Sequence, residues 1–294
     1  MKSKNYKTFF LDVIKGSAIG ISMIIPGFSG GTIAVLLNIY DKILDSITGI
    51  FKNFKKSILT LLPLMIGAII GFAILVFPLE LGLLKIPLII TSLFVGFIIG
   101  GLPCLYRKVQ RKENIVNIII FIIALCVTIS LCFIKSNITI NLNSLDICTW
   151  LYLLLSGFLA SIALVAPGIS GSMTLMVLGV YANLIVVIKE LMTLNNIIQN
   201  IMVIIPVGVG ILVGFFLISL LMKYLLKKHE TPTYFAILGF IIGSIVPIYY
   251  IAITESKTPI NLDLPNIIFS FSALIIGVII TYLIERLAIK TKGE

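Results

Sequence analysis

Apolar positions in this chain come in unbroken runs rather than in alternation, and the runs are long. Stretches near 57–79, 88–104, 115–134, 200–222, 233–253 and 266–284 match the roughly 20 residues that an α-helix needs to cross a bilayer. Four shorter apolar segments, near 9–25, 28–45, 150–166 and 169–188, flank two closely related phrases. Residues 25–40 read IPGFSGGTIAVLLNIY, and residues 166–181 read APGISGSMTLMVLGVY. A helix-breaking Pro-Gly and a Ser-Gly pair are unfavourable inside such stretches unless protein or a polar ligand satisfies the freed backbone groups.

The two phrases belong to a longer repeat. At an offset of 141, Pro26 pairs with Pro167, Gly27 with Gly168, Ser29 with Ser170, Gly30 with Gly171 and Tyr40 with Tyr181, while Gly16 upstream matches Gly157. At an offset of 143, Pro63, Gly67 and Gly71 match Pro206, Gly210 and Gly214, and GFIIGG at 96–101 matches GFIIGS at 239–244. Chance readily aligns Ile with Leu, but not an ordered series of Pro and Gly. Small residues four apart let neighbouring helices approach closely, so Gly67, Gly71, Gly210 and Gly214 are expected to be packing positions.

Composition supports the membrane reading. Of the 294 residues, 59% are hydrophobic and 12% charged, and mean hydropathy is +1.18; a soluble domain carries about 25% charged residues. No cleavable signal peptide is evident, since Asp12 and Lys15 interrupt the first apolar stretch. The formal net charge of +10 does not point to nucleic acid, because nearly all basic residues lie in short loops, where they report orientation. Cys104, Cys126, Cys132 and Cys148 have no C-x-x-C spacing and read as small core residues. His229, the one histidine, sits in the Lys-rich run KYLLKKHE and reads as a solvated loop residue.

Lys and Arg cluster at Lys2, Lys4 and Lys7, at 52–56, at 107–112, at 223–228 and at the C-terminus, whereas loops 80–85, 135–146, 189–199 and 255–263 are poorer in them. The positive-inside rule places the first set in the cytoplasm. Each half then crosses an odd number of times and the second is inverted relative to the first. The fold class expected is therefore all-α: a polytopic protein of the cytoplasmic membrane with two inverted-topology repeats of five segments each, near 1–140 and 141–294. They would form one membrane domain with both termini cytoplasmic, and the P-G-x-S-G phrases would form paired broken or re-entrant helical hairpins approaching the midplane.

In P-G-x-S-G, Pro ends one helix and a second begins near Ser-Gly. The first N–H groups of that helix lack intrahelical partners and carry partial positive charge, which suits phosphate or carboxylate. The candidate anion site comprises Pro26, Gly27, Ser29, Gly30, Gly31 and Thr32 with Pro167, Gly168, Ser170, Gly171 and Ser172. Lys15, Tyr40 and Tyr181 are candidate accessory residues. Enzymatic readings lack material: there is one loop histidine, there are three arginines near termini or loops, and no paired intramembrane carboxylates or Ser/His/Asp set can be assembled. No cofactor or metal is expected.

The phrase IIPGFSGGTIAVLLNIYDKIL, with its second form VAPGISGSMTLMVLGVY, resembles the bacterial and archaeal polyprenyl-phosphate transporters, a family once catalogued as an integral membrane domain of unknown function. The resemblance covers the whole chain in length, segment order and both motifs. It implies a protein that returns undecaprenyl phosphate, the lipid carrier of cell-wall precursors, from the outer to the inner leaflet, with a proton or sodium as candidate coupling ion. Asn38 stands where the family usually has Gly, as the second copy does at Gly179, and Ser22 to Ile25 lack the polar or acidic residue associated with the family. The residues agree on substrate class: a phosphate monoester with an apolar tail needs an anion site reachable from each leaflet and an apolar path. The rival reading is a small-anion channel or antiporter built on the same helix ends.

Overall fold

The computed structural model describes residues 2–23, 29–109, 114–134, 146–254 and 263–290, and every regular element in them is helical. The first half contains α1 (Lys2–Ser22), α2 (Gly30–Leu36), α3 (Tyr40–Thr48), α4 (Phe54–Lys85), α5 (Pro87–Val109) and α6 (Ile115–Leu131). The second contains α7 (Ile147–Val165), α8 (Gly171–Val177), α9 (Tyr181–Met192), α10 (Ile197–Lys228), α11 (Glu230–Gly243), α12 (Ile245–Thr254) and α13 (Leu264–Lys290). An apolar chain folds this way because helices satisfy their backbone polar groups internally.

Among the described residues, six helical segments are long and apolar enough to cross a membrane: Phe54–Lys85, Pro87–Arg107, Ile147–Val165, Ile197–Lys228, Glu230–Thr254 (broken at Ser244) and Leu264–Leu283. Five correspond to the long apolar stretches of the sequence. The sixth stretch, 115–134, yields only the 17 residues of α6, while the shorter stretch 150–166 grows into the 19 of α7. Asp146 lengthens α7 by capping it, its carboxylate accepting the Thr149 N–H at 3.0 Å. The Thr149 hydroxyl and amide together hold the Asp146 carboxyl below the usual carboxylate range.

The matched glycines are where helices touch. α1 packs along α4 and α7 along α10. A Cβ at Gly67 would lie 2.0 Å from the Val13 carbonyl oxygen, and one at Gly210 would lie 2.0 Å from that of Leu154. Gly16 and Gly157 seat against Leu64 and Val207 in the same way. The GFIIG runs do the equivalent for the last helix of each half, but across halves. Gly96 on α5 receives α13 at Leu274, and Gly239 on α11 receives α6 at Phe121. The halves are thus interleaved, each closing on a helix of the other.

The two motif hairpins differ in burial. Every residue of α2 after Gly30 is buried, and α2 joins a core that runs through α3, α5 and α11. In α8 only Met173 is buried.

Candidate functional site

Each motif makes a short helix of two turns, α2 or α8, with 7 residues. At about 1.5 Å per residue neither can cross a bilayer. Both begin on an extended serine, Ser29 or Ser170, whose side chain makes no capping hydrogen bond. Both end in one turn type: Ile39 N–H donates to the Ala34 carbonyl at 2.9 Å, and Val180 N–H to that of Leu175 at 3.0 Å. This closure needs a left-handed residue just past the helix. Asn38 (φ 54) and Gly179 (φ 68) supply it, and Asn is the side chain besides Gly that tolerates that region. The departure at Asn38 is therefore conformationally neutral. After the turn the chain changes direction sharply, by 110° between α8 and α9.

Between the two short helices lies a cavity of about 600 Å³. Ser29, Gly30 and Gly31 border it from one motif, and Ser170, Gly171 and Ser172 from the other. Tyr40 and Tyr181 border it as well. Apart from Ser219, whose hydroxyl donates to the Phe215 carbonyl at 2.6 Å, the remaining wall is apolar, including Ala160 and Ala163 of α7 and Phe215 of α10, and none of its described residues is charged. Met23 and Met65 line the cavity and are each 56% exposed, so it opens sideways past α1 and α4.

Donors converge here. The hydroxyls of Ser170 and Ser172 lie 2.9 Å apart. Ser29 borders the cavity, and its hydroxyl is buried with no hydrogen-bond partner. The first N–H groups of α2 and α8 have no partner within their own helices. A buried donor left in this state is unfavourable by about 1–3 kcal/mol, so the arrangement is suited to an acceptor that arrives with a ligand.

Other expected residues stand elsewhere. Pro26 and Gly27 lie outside the described residues. Thr32 does not border the cavity; its buried hydroxyl oxygen accepts the Gly168 N–H at 2.8 Å, linking the motifs. Gly168 (φ 89) packs so tightly on α11 that a Cβ would fall 2.4 Å from the Phe240 carbonyl carbon, and Pro167 borders a separate apolar cleft beside Phe240. Lys15 stays out of the cavity, its Nζ donating to the Leu37 carbonyl at the end of α2 (3.3 Å). Tyr152 of α7 does the corresponding thing at Leu178, at 2.6 Å. Tyr40 does more than line the wall: its hydroxyl donates to the Val165 carbonyl at 2.7 Å.

Sequence reasoning missed a latch on one side of the cavity. α3 packs against α10, where Lys223 Nζ reaches Asp45 Oδ1 at 2.6 Å and Thr48 Oγ1 at 3.1 Å. Phe51 and Phe216 meet edge to face, 5.2 Å between ring centres. Among the described residues α9 makes no comparable contact with α4. The sequence carries no local signal for the latch, because Asp45 sits on the polar face of α3 with Asp41, Lys42 and Thr48.

Comparison with known proteins adds three findings. Residues 19–262 match the model of the VCA0040-like family, described as undecaprenyl phosphate translocase-like. A "Polyprenyl-phosphate transporter" of Staphylococcus aureus is 31% identical over 247 residues, covering 82% of this chain and 86% of that protein. A protein of the same description from Vibrio cholerae is 27% identical over 265 residues, covering 84% and 79%. No solved structure matches the chain significantly.

Proposed function

The chain belongs to the undecaprenyl phosphate translocase-like family, and on that premise we propose that it carries undecaprenyl phosphate from the outer to the inner leaflet of the cytoplasmic membrane. The phosphate sits in the cavity between the motifs. Ser29, Ser170 and Ser172 donate hydroxyls to it, and the backbone of Gly30, Gly31 and Gly171 leaves N–H groups uncovered. Glycine matters at these positions because a larger side chain would shield those donors. The polyprenyl tail leaves through the opening beside Met23 and Met65 and remains in lipid.

The observation that carries this reading is the buried, unpartnered hydroxyl of Ser29, a residue in the wall of an uncharged, laterally open cavity. A small anion needs a hydrated path and cations along it; a lipid phosphate needs one polar spot in an apolar wall. We place the motif hairpins as re-entrant elements of two inverted repeats, with both termini cytoplasmic. The contact of Lys223 with Asp45 supports setting the 52–56 and 223–228 loops on one face. Alternating access then consists of releasing α3 from α10 while α9 closes on α4.

Purified protein in liposomes tests the proposal. A fluorescent polyprenyl phosphate placed in the outer leaflet is expected to reach the inner one, and imposed proton or sodium gradients identify the coupling ion. Chloride or inorganic phosphate flux without lipid movement in the same liposomes overturns the proposal in favour of an anion pathway.

A further inference from the structure

A second cavity, of about 680 Å³, lies between the start of α1, α3 and the first turns of α4. Its polar wall holds Lys42, Lys55, Lys56 and Asp12. Asp12 is buried and ion-paired with Lys42. Lys55 and Lys56 are exposed and have no ion-pair partner among the described residues. Three lysines against one carboxylate leave an excess of two positive charges over a concave surface. Its rim is apolar and exposed, with Phe9, Phe54 and Leu59 facing outward.

This cavity and the central one share walls. On α3, Lys42 faces the basic cavity, while Tyr40, Ile43, Leu44 and Ile47 face the central one. On α4, Phe54 and Pro63 border the basic cavity and Met65 the central one. The helix that Lys223 latches is therefore the partition between them.

The second half has no equivalent. At the repeat offsets, Leu153 replaces Asp12, Asn183 replaces Lys42, Ile198 replaces Lys55 and Gln199 replaces Lys56. The acidic Glu190 stands nearby instead, accepting from Asn200 Nδ2 at 2.9 Å. Loop lysines that serve only to orient a membrane protein need no concavity, buried counter-ion or apolar rim. A cationic recess at the interface with lipid-facing aromatics is suited to an anionic headgroup.

We propose that this recess is a second site, present on one face only, for a phosphate-bearing lipid headgroup. It biases the headgroup toward that face, because attraction there has no counterpart at the opposite mouth. That the headgroup arrives through the central cavity rests on the function proposed above; the recess itself does not. The same phosphate chemistry is offered by the transported polyprenyl phosphate and by anionic bilayer phospholipid.

The test uses the full chain in nanodiscs, with farnesyl phosphate and phosphatidylglycerol as separate probes. Each exposed lysine near a membrane surface contributes about 1 kcal/mol, roughly fivefold in affinity, so K55Q/K56Q should weaken the recess about twenty-five-fold. That component should also fade with added salt, whereas binding to the uncharged central cavity should not. K55R/K56R should restore it. Weakening toward farnesyl phosphate supports the site and assigns it to the transported lipid; weakening toward phosphatidylglycerol alone supports the site and assigns it to the bilayer. A salt-sensitive component without any Ser29-dependent one supports the recess and defeats the central-cavity reading. Wild-type affinity and salt dependence in K55Q/K56Q for both probes overturn the proposal.

Discussion

Replacing Ser29 with alanine should move stability and ligand binding in opposite directions. The residue is 5% exposed and its hydroxyl has no partner, so in the ligand-free protein it is a desolvated donor, unfavourable by about 1–3 kcal/mol. Removing one oxygen leaves a negligible void beside an open cavity. The empty S29A protein should therefore be as stable as the wild type or more so. With phosphate bound, the same hydroxyl makes a hydrogen bond to a charged group, contributing about 1.5–3 kcal/mol. Its loss should weaken binding about ten- to a hundredfold. The assay pairs thermal unfolding of the ligand-free protein in detergent with farnesyl phosphate titration in nanodiscs. Wild-type affinity would refute the reasoning, and so would an affinity loss that merely tracks a loss of stability. Ser170 is a useful contrast, because its hydroxyl is bonded to that of Ser172. S170A should weaken binding but bring no gain in stability, since it strands a second hydroxyl.

Glycines of the two classes should part company: G67A and G210A should lower folded yield, their Cβ atoms lying 2.0 Å from a carbonyl oxygen, while G171A, with nothing nearer than 3.5 Å, should fold normally in the same fluorescence size-exclusion assay. G171V should fold yet abolish liposome transport by covering donor N–H groups; wild-type transport by G171V would contradict the donor role. N38G should be silent in thermal unfolding, and G179A should destabilise by about 1–2 kcal/mol, the penalty of a left-handed backbone with a Cβ. K223Q should raise cysteine-probe accessibility along α3 at most about fivefold, because an exposed ion pair contributes about 1 kcal/mol or less; unchanged accessibility would remove Lys223 from the latch. Cysteines at 52–56 and 223–228 should label from the cytoplasmic side only, and labelling from outside at either would overturn the proposed orientation.

The helical class and most of the long membrane helices were legible because apolar run length is a one-dimensional property. Packing positions were legible too: Gly67 and Gly210 announced themselves by spacing, and contact with Val13 and Leu154 is what that spacing permits. The neighbourhood of the central cavity was legible, but not which motif residues line it. P-G-x-S-G marks where a helix breaks, yet which side of the break faces the cavity depends on packing with α11 and α7. Thr32 and Gly168 consequently turn to each other rather than to the cavity. Lys15 could be named as an accessory residue, but its contact with the Leu37 carbonyl required knowing that α2 ends beside it. The Lys223–Asp45 contact joins residues 178 positions apart, beyond the reach of any local pattern.

The bond from Gly168 to Thr32 and the bond from Tyr40 to Val165 both use a first-half side chain to hold the second-half break. One of the two reciprocal positions has diverged: Met173, which stands where Thr32 would be, carries no hydroxyl, whereas Tyr181 keeps the residue type of Tyr40. The two copies have become plug and socket. A second copy of residues 146–290 in place of the first half would bring Met173 to the position of Thr32, with no hydroxyl to accept the Gly168 N–H. A substitution at position 32 is therefore answerable at position 168.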